Sequence, residues 1–125
     1  MSTTISGTNG VTFPDSTSMQ TGQQACKAWV NFDGTGTVSI INSYNVSSIT
    51  DNGTGDYTVN ILLALPTANY VWVGFSKDDD DSGAPPSPLQ SASFEKTTTA
   101  LRINTKTPST GTKIDSPNAG VVFFC

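Results

Sequence analysis

Histidine is absent from the 125 residues. With it go Ser-His-Asp and Cys-His catalysis, the commonest zinc ligand and the usual physiological pH switch, so we expect no enzymatic activity. Charged residues make up only 13% of the chain, against roughly 25% in ordinary globular proteins, which argues against a helical surface laced with ion pairs. Cysteine is limited to Cys26 and Cys125, too few for a disulfide framework and without metal-ligand spacing. One bridge between them and two free thiols are the alternatives, and a reducing cytosol favours the thiols. The longest strictly apolar run, Ile61 to Leu65, falls far short of the roughly 18 residues of a membrane-spanning helix. The opening MSTTISGTNG has neither the basic start nor the apolar segment of a secretory signal, so we expect cytosolic synthesis and no membrane insertion.

In place of charge the chain carries 15 Ser and 19 Thr, a hydroxyl-rich composition. The net charge of −4 rests on the run Asp78, Asp79, Asp80 and Asp81, and with no basic stripe nothing attracts a nucleic-acid backbone. Residues 1–25 hold six apolar side chains, Met1, Ile5, Val11, Phe13, Met19 and Ala25, and cannot build a core of their own. This segment reads as an extended N-terminal arm for anchoring, in which Ile5, Val11, Phe13 and Met19 are the contact residues. Docking on a neighbouring subunit is the expected arrangement, and folding back on its own domain is the alternative.

From residue 26 to residue 125 the pattern becomes that of strands: period-two alternation rich in β-branched and aromatic residues, broken by turn chemistry about every ten residues. The alternation predicts strands over Lys27–Phe32, Thr37–Ile41, Val46–Thr50, Tyr57–Leu65, Tyr70–Ser76, Ser91–Glu95, Thr99–Asn104 and Ala119–Phe124. Asp33-Gly34-Thr35-Gly36 and Asp51-Asn52-Gly53-Thr54-Gly55 supply the turns of the first two hairpins. No segment shows a sustained 3.6-residue period. The expected fold is therefore all-β: a small antiparallel β-sandwich of about seven or eight strands behind the arm.

Two segments are too long and polar for simple turns: Lys77–Gln90, with four Asp and three Pro, and Thr105–Asn118. They supply the candidate contact residues Asp78 to Asp81, Pro85 and Pro86 in the first, and Thr107, Ser109, Thr110 and Lys113 in the second. The four aspartates are hard oxygen ligands and a conceivable calcium site, but consecutive carboxylates rarely converge on one ion, so a solvated acidic turn is expected and no cofactor is assigned. Asp33, Asp51 and Asp56 sit in hairpin turns, where aspartate bonds its own backbone rather than pairing with Glu95 or Asp115 for acid–base chemistry. Asn45-Val46-Ser47 and Asn52-Gly53-Thr54 match the glycosylation acceptor pattern but read as turn and strand residues. Trp29 and Trp72 fall out of phase with the valines beside them, which gives each strand an aromatic face; a partly exposed rim, burial between subunits and sugar stacking are the three readings.

The stretch from Lys27 to Ser76 resembles the C-terminal modules of tailed-bacteriophage tail fibre proteins. The resemblance lies in the KAWVNFDGTGT opening, the YNVSSITDNGTGDYTVN hairpin, the ALPTANY turn and the terminal IDSPNAGVVFF, with VTFPDSTSMQTG similar to the linker that precedes such modules. It implies a homotrimeric virion component made in the bacterial host cytoplasm. The arm would bind other virion proteins, and the two long loops would contact a host surface receptor. Capsid decoration, with the arm and one flat face on the shell, is the alternative role.

Overall fold

The computed structural model describes residues 3–6, 10–19, 26–77, 87–88, 90–108 and 110–125. Its strands are β1 (Thr4–Ser6), β2 (Gly10–Thr12), β3 (Ser18–Met19), β4 (Cys26–Asp33), β5 (Ser39–Tyr44), β6 (Val46–Asp51), β7 (Asp56–Ile61), β8 (Val71–Lys77), β9 (Ser87–Pro88), β10 (Gln90–Lys96), β11 (Ala100–Asn104) and β12 (Asn118–Phe124). Two antiparallel sheets form the sandwich, one ordered β5-β4-β12-β8-β9 and the other β10-β11-β7-β6, and no helix occurs among the described residues. All eight strands expected from the alternation are present. The strand expected to reach Leu65 stops at Ile61, because Asn45 captures the backbone of Leu62 and Leu63 and turns the chain there.

The arm is more structured than an extended segment. Its strands β1, β2 and β3 form a separate antiparallel meander, with Ile5 opposite Val11 and Val11 opposite Met19. The turn from β2 to β3 is closed by Asp15, whose carboxylate accepts from the Thr17 amide at 3.0 Å and the Thr17 hydroxyl at 2.6 Å. These bonds hold the Asp15 pKa below the usual carboxylate range. Ile5 is 82% exposed and Phe13 40%.

Alternation fills the sandwich interior. Ala28, Val30 and Phe32 of β4 and Ala119, Val121 and Phe123 of β12 face Tyr57, Val59 and Ile61 of β7 and Leu101 and Ile103 of β11. An edge-to-face aromatic pair, Phe32 with Tyr57 at 5.2 Å between ring centroids, joins the two sheets, and a second, Tyr70 with Phe123 at 5.5 Å, packs toward the other end of the core. Burial pushes the Tyr70 phenol up to about 12.

Asn45 makes the corner where the chain leaves one sheet for the other. It joins β5 to β6 with a φ of 55°, a conformation Asn tolerates better than most residues. Its Nδ2 donates to the carbonyls of Lys27 and Leu63 at 3.0 and 3.1 Å, and its Oδ1 accepts from the Leu63 amide at 2.8 Å.

Both cysteines are free. Cys26 lies across from Phe124, and Cys125, the next residue, packs against the core. The Cys26 thiol donates instead to the Ala28 carbonyl at 3.2 Å.

Candidate functional site: a loop pole and an apolar sheet face

Strand register gives the sandwich two distinct poles. Asn118 pairs with Lys77 and Asn104 with both Asp56 and Gln90, so the two long segments leave the sandwich from one end. The turns after Asp33 and Asp51 close at that same end, because the Gly34 amide donates to the Ser116 carbonyl at 2.7 Å and the Gly55 amide to Asp115 at 2.8 Å. Cys26, where the chain enters β4 from the arm, is cross-strand from Phe124 at the opposite end. The arm and the long loops therefore attach at opposite poles.

Buried hydrogen bonds fix the base of the loop pole. Tyr57 donates its hydroxyl to Asp115 at 2.7 Å and reaches the Gly34 carbonyl at 3.1 Å, and burial followed by the Asp115 contact raises its pKa. The Ser116 hydroxyl bridges the carbonyls of Lys77 and Asn118 at 2.5 and 3.0 Å. Gly55, at φ 61°, has no room for a side chain, since a Cβ would stand 2.6 Å from the Thr105 carbonyl and 2.7 Å from the Ile114 backbone. Asp56 is buried and takes the Arg102 Nε at 2.7 Å and the Lys113 Nζ at 2.6 Å. The bond from Arg102, with that from Lys113, lowers its pKa to about 2.

Above this base the second long segment is a small hairpin. Lys106 bridges to Lys113, the Thr107 amide donates to the Thr112 carbonyl at 2.9 Å, and Gly111 turns the chain at φ 69°. Its tip carries a hydroxyl cluster, with Thr107 and Thr110 oxygens 2.5 Å apart and Thr110 and Thr112 oxygens 3.0 Å apart. Thr107 and Thr110 are thus presented together, whereas Lys113 is held at the base by Asp56. Ser109, Asp78, Asp79, Asp80, Asp81, Pro85 and Pro86 lie outside the described residues, as does the calcium question they raise. Among the described residues no group of three or more His, Cys, Asp or Glu is placed to hold a metal ion.

The carboxylates divide by partner. Asp33 accepts from the Thr35 amide and hydroxyl at 2.8 and 2.6 Å, which lowers its pKa, and Asp51 accepts from the Gly53 amide at 2.8 Å, as their turn positions led us to expect. Asp56 departs from that reading, since its side chain forms the buried ion cluster instead of a local turn bond. Asp115, unassigned by the sequence, ties the loop base to the β6–β7 turn.

The tryptophans also divide. Trp29 lies on the outer face of β4, between buried Ala28 and Val30. Trp72 lies on the core side of β8 and is partly buried against the core. On β8 it is Val71, Val73 and Phe75 that face outward, 68%, 60% and 52% exposed. The reason is Gly120: it lies opposite Phe75, and a Cβ there would stand 2.9 Å from that ring, so the missing side chain makes room for Phe75 on the outer face. Trp29, Phe75 and Gly120 bound an apolar groove of about 450 Å³ across the five-stranded sheet.

These features define an all-β sandwich with a loop-bearing pole tied at its base by buried hydrogen bonds and one apolar outer sheet face. Comparison with family models, with curated proteins and with solved structures found no match.

Proposed function

We propose that this chain is a virion structural protein of a tailed bacteriophage, a tail fibre or receptor-binding component that acts as a homotrimer in host attachment. The observation that carries the reading is the polarity of the sandwich. The arm joins at the Cys26 pole, and both long loops depart from the other, where Asn118 pairs with Lys77. An attachment protein needs that arrangement, with one end held by the particle and variable contact surface at the far end on a rigid scaffold. The hydroxyl-rich tip at Thr107, Thr110 and Thr112 and the acidic run Asp78 to Asp81 supply polar contact chemistry for a host surface molecule. The resemblance of residues 27–76 to tail fibre modules agrees with this role, which is one of binding and structure, not catalysis.

Capsid decoration is the second reading, favoured by one observation: the exposed apolar face around Val71, Val73 and Phe75 offers surface to lie against a shell. Binding of the purified protein to host cells separates the two. An attachment protein adsorbs, and loses adsorption when residues 78–86 are shortened while its thermal unfolding is unchanged. A decoration protein does not adsorb in either form.

A further inference from the structure

The outer face of the five-stranded sheet has a continuous apolar row: Tyr44 is paired with Trp29, Trp29 with Val122 and Val122 with Val73. Val71, Phe75 and Phe124 extend it on either side. The residues at the middle of the face are uncharged; of the charged positions on it, Lys27 lies at the arm-pole edge, two residues from Trp29, and Asp33 and Lys77 lie at the loop-pole edge. Trp29 on β4 and Phe75 on β8 flank the groove across β12, whose Gly120 and Val122 lie between them. Its volume of about 450 Å³ accepts one aromatic or branched aliphatic side chain.

We propose that this face is the surface through which copies of the chain associate, with the groove between Trp29 and Phe75 receiving an apolar side chain from the neighbouring copy. The inference rests on the homotrimer of the proposed function and adds the surface that forms it. Two observations select a second copy over other occupants. Tyr44, Val71, Val73, Phe75 and Phe124 leave roughly 500 Å² of apolar-rich surface open, the greater part of the roughly 800 Å² per partner that a standard stable interface buries, and Trp29 and Val122 lie among them. The chemistry also argues against a sugar, whose hydroxyls need several polar partners: apart from the Trp29 indole N–H the groove offers one polar side chain, Asn31, and its Oδ1 is shut from solvent without a hydrogen bond. A groove on one copy filled by a side chain from the next is a head-to-tail contact, which makes a ring of three when successive copies are related by a third of a turn.

Sedimentation of the full chain over a wide concentration range tests this, with Val73→Asp, Val73→Thr and Thr54→Asp as variants. Val73 is exposed, so a charge there disturbs little in a single sandwich but is forbidding in an apolar interface, while Thr54, in the exposed β6–β7 turn, is the control. The expected result is a trimer for the wild type and Thr54→Asp, a monomer with intact β dichroism for Val73→Asp, and association weakened about tenfold for Val73→Thr. If Val73→Asp does not fold, Val73→Thr, which keeps the β-branch, decides. A wild type that forms another oligomer and dissociates in the Val73 variants supports the face while removing the three-fold assembly. A wild-type monomer overturns the inference, and so does a trimer that both Val73 variants leave untouched; adsorption to cells by either species keeps the attachment role separate.

Discussion

Asp56 shows how much one residue contributes at the loop pole. Its carboxylate is buried and closed by Arg102 and Lys113, and its pKa near 2 lies below the roughly 3.9 of an unfolded aspartate. A depressed native pKa contributes stability that is fully present above about pH 4 and is lost as pH falls from there through about 2. The amount is at most about 2–3 kcal/mol, reduced by solvent screening because Arg102 and Lys113 are partly exposed. Asp56→Asn is expected to lower the urea midpoint at neutral pH and to flatten the acid limb of the stability curve. An unchanged acid limb in the variant would show that other carboxylates carry it. The sequence placed Asp33 and Asp51 correctly because their partners lie two residues away. Asp56 and Asp115 escaped the same reading because Arg102 is 46 residues from one, and Tyr57 and Gly55 are 58 and 60 from the other. Turn chemistry is local; an ion cluster assembled by strand register is not.

Strands were legible and the faces they present were only partly so. Alternation in Lys27–Phe32 places Ala28, Val30 and Phe32 on one side without ambiguity, because the other side includes Lys27 and Asn31. In Val71–Ser76 both sides carry large apolar residues, and period two alone does not say which is inward. The decision depends on Gly120 across the ladder, a long-range partner. The corner at Asn45 was hidden for a related reason, since its partners Lys27 and Leu63 each lie 18 residues away. Asn45→Ala removes three side-chain hydrogen bonds and puts a less tolerant residue at a φ of 55°, for an expected cost of about 2–3 kcal/mol. Asn45→Gly loses the same bonds but accepts the backbone conformation, so urea denaturation is expected to rank wild type above Asn45→Gly and Asn45→Gly above Asn45→Ala. Equal stability of all three would mean that the corner holds without the Asn45 side chain.

Across the whole molecule the division of labour is between two poles and one face. The Cys26 pole takes the chain in from the arm, the loop pole presents the Thr107–Thr112 tip and the roots of the acidic segment, and the outer sheet face carries exposed apolar side chains. Alkaline solution probes the core that joins the poles. Tyr57 and Tyr70 both have native pKa values above the ordinary 10, the second at about 12, because burial disfavours the phenolate. Their contribution is complete below about pH 10 and is lost as pH rises through the native values, so unfolding followed by dichroism is expected to set in above pH 10. Retention of the native spectrum well above pH 12 would contradict that burial.

Host attachment is tested most directly by where the protein sits in an intact particle. Electron microscopy of virions labelled with gold-conjugated antibody against residues 107–113 is expected to place the label at the distal end of the tail fibres, with the loop pole outermost. Label distributed over the capsid shell, with the tail bare, would contradict the attachment role and leave decoration as the function.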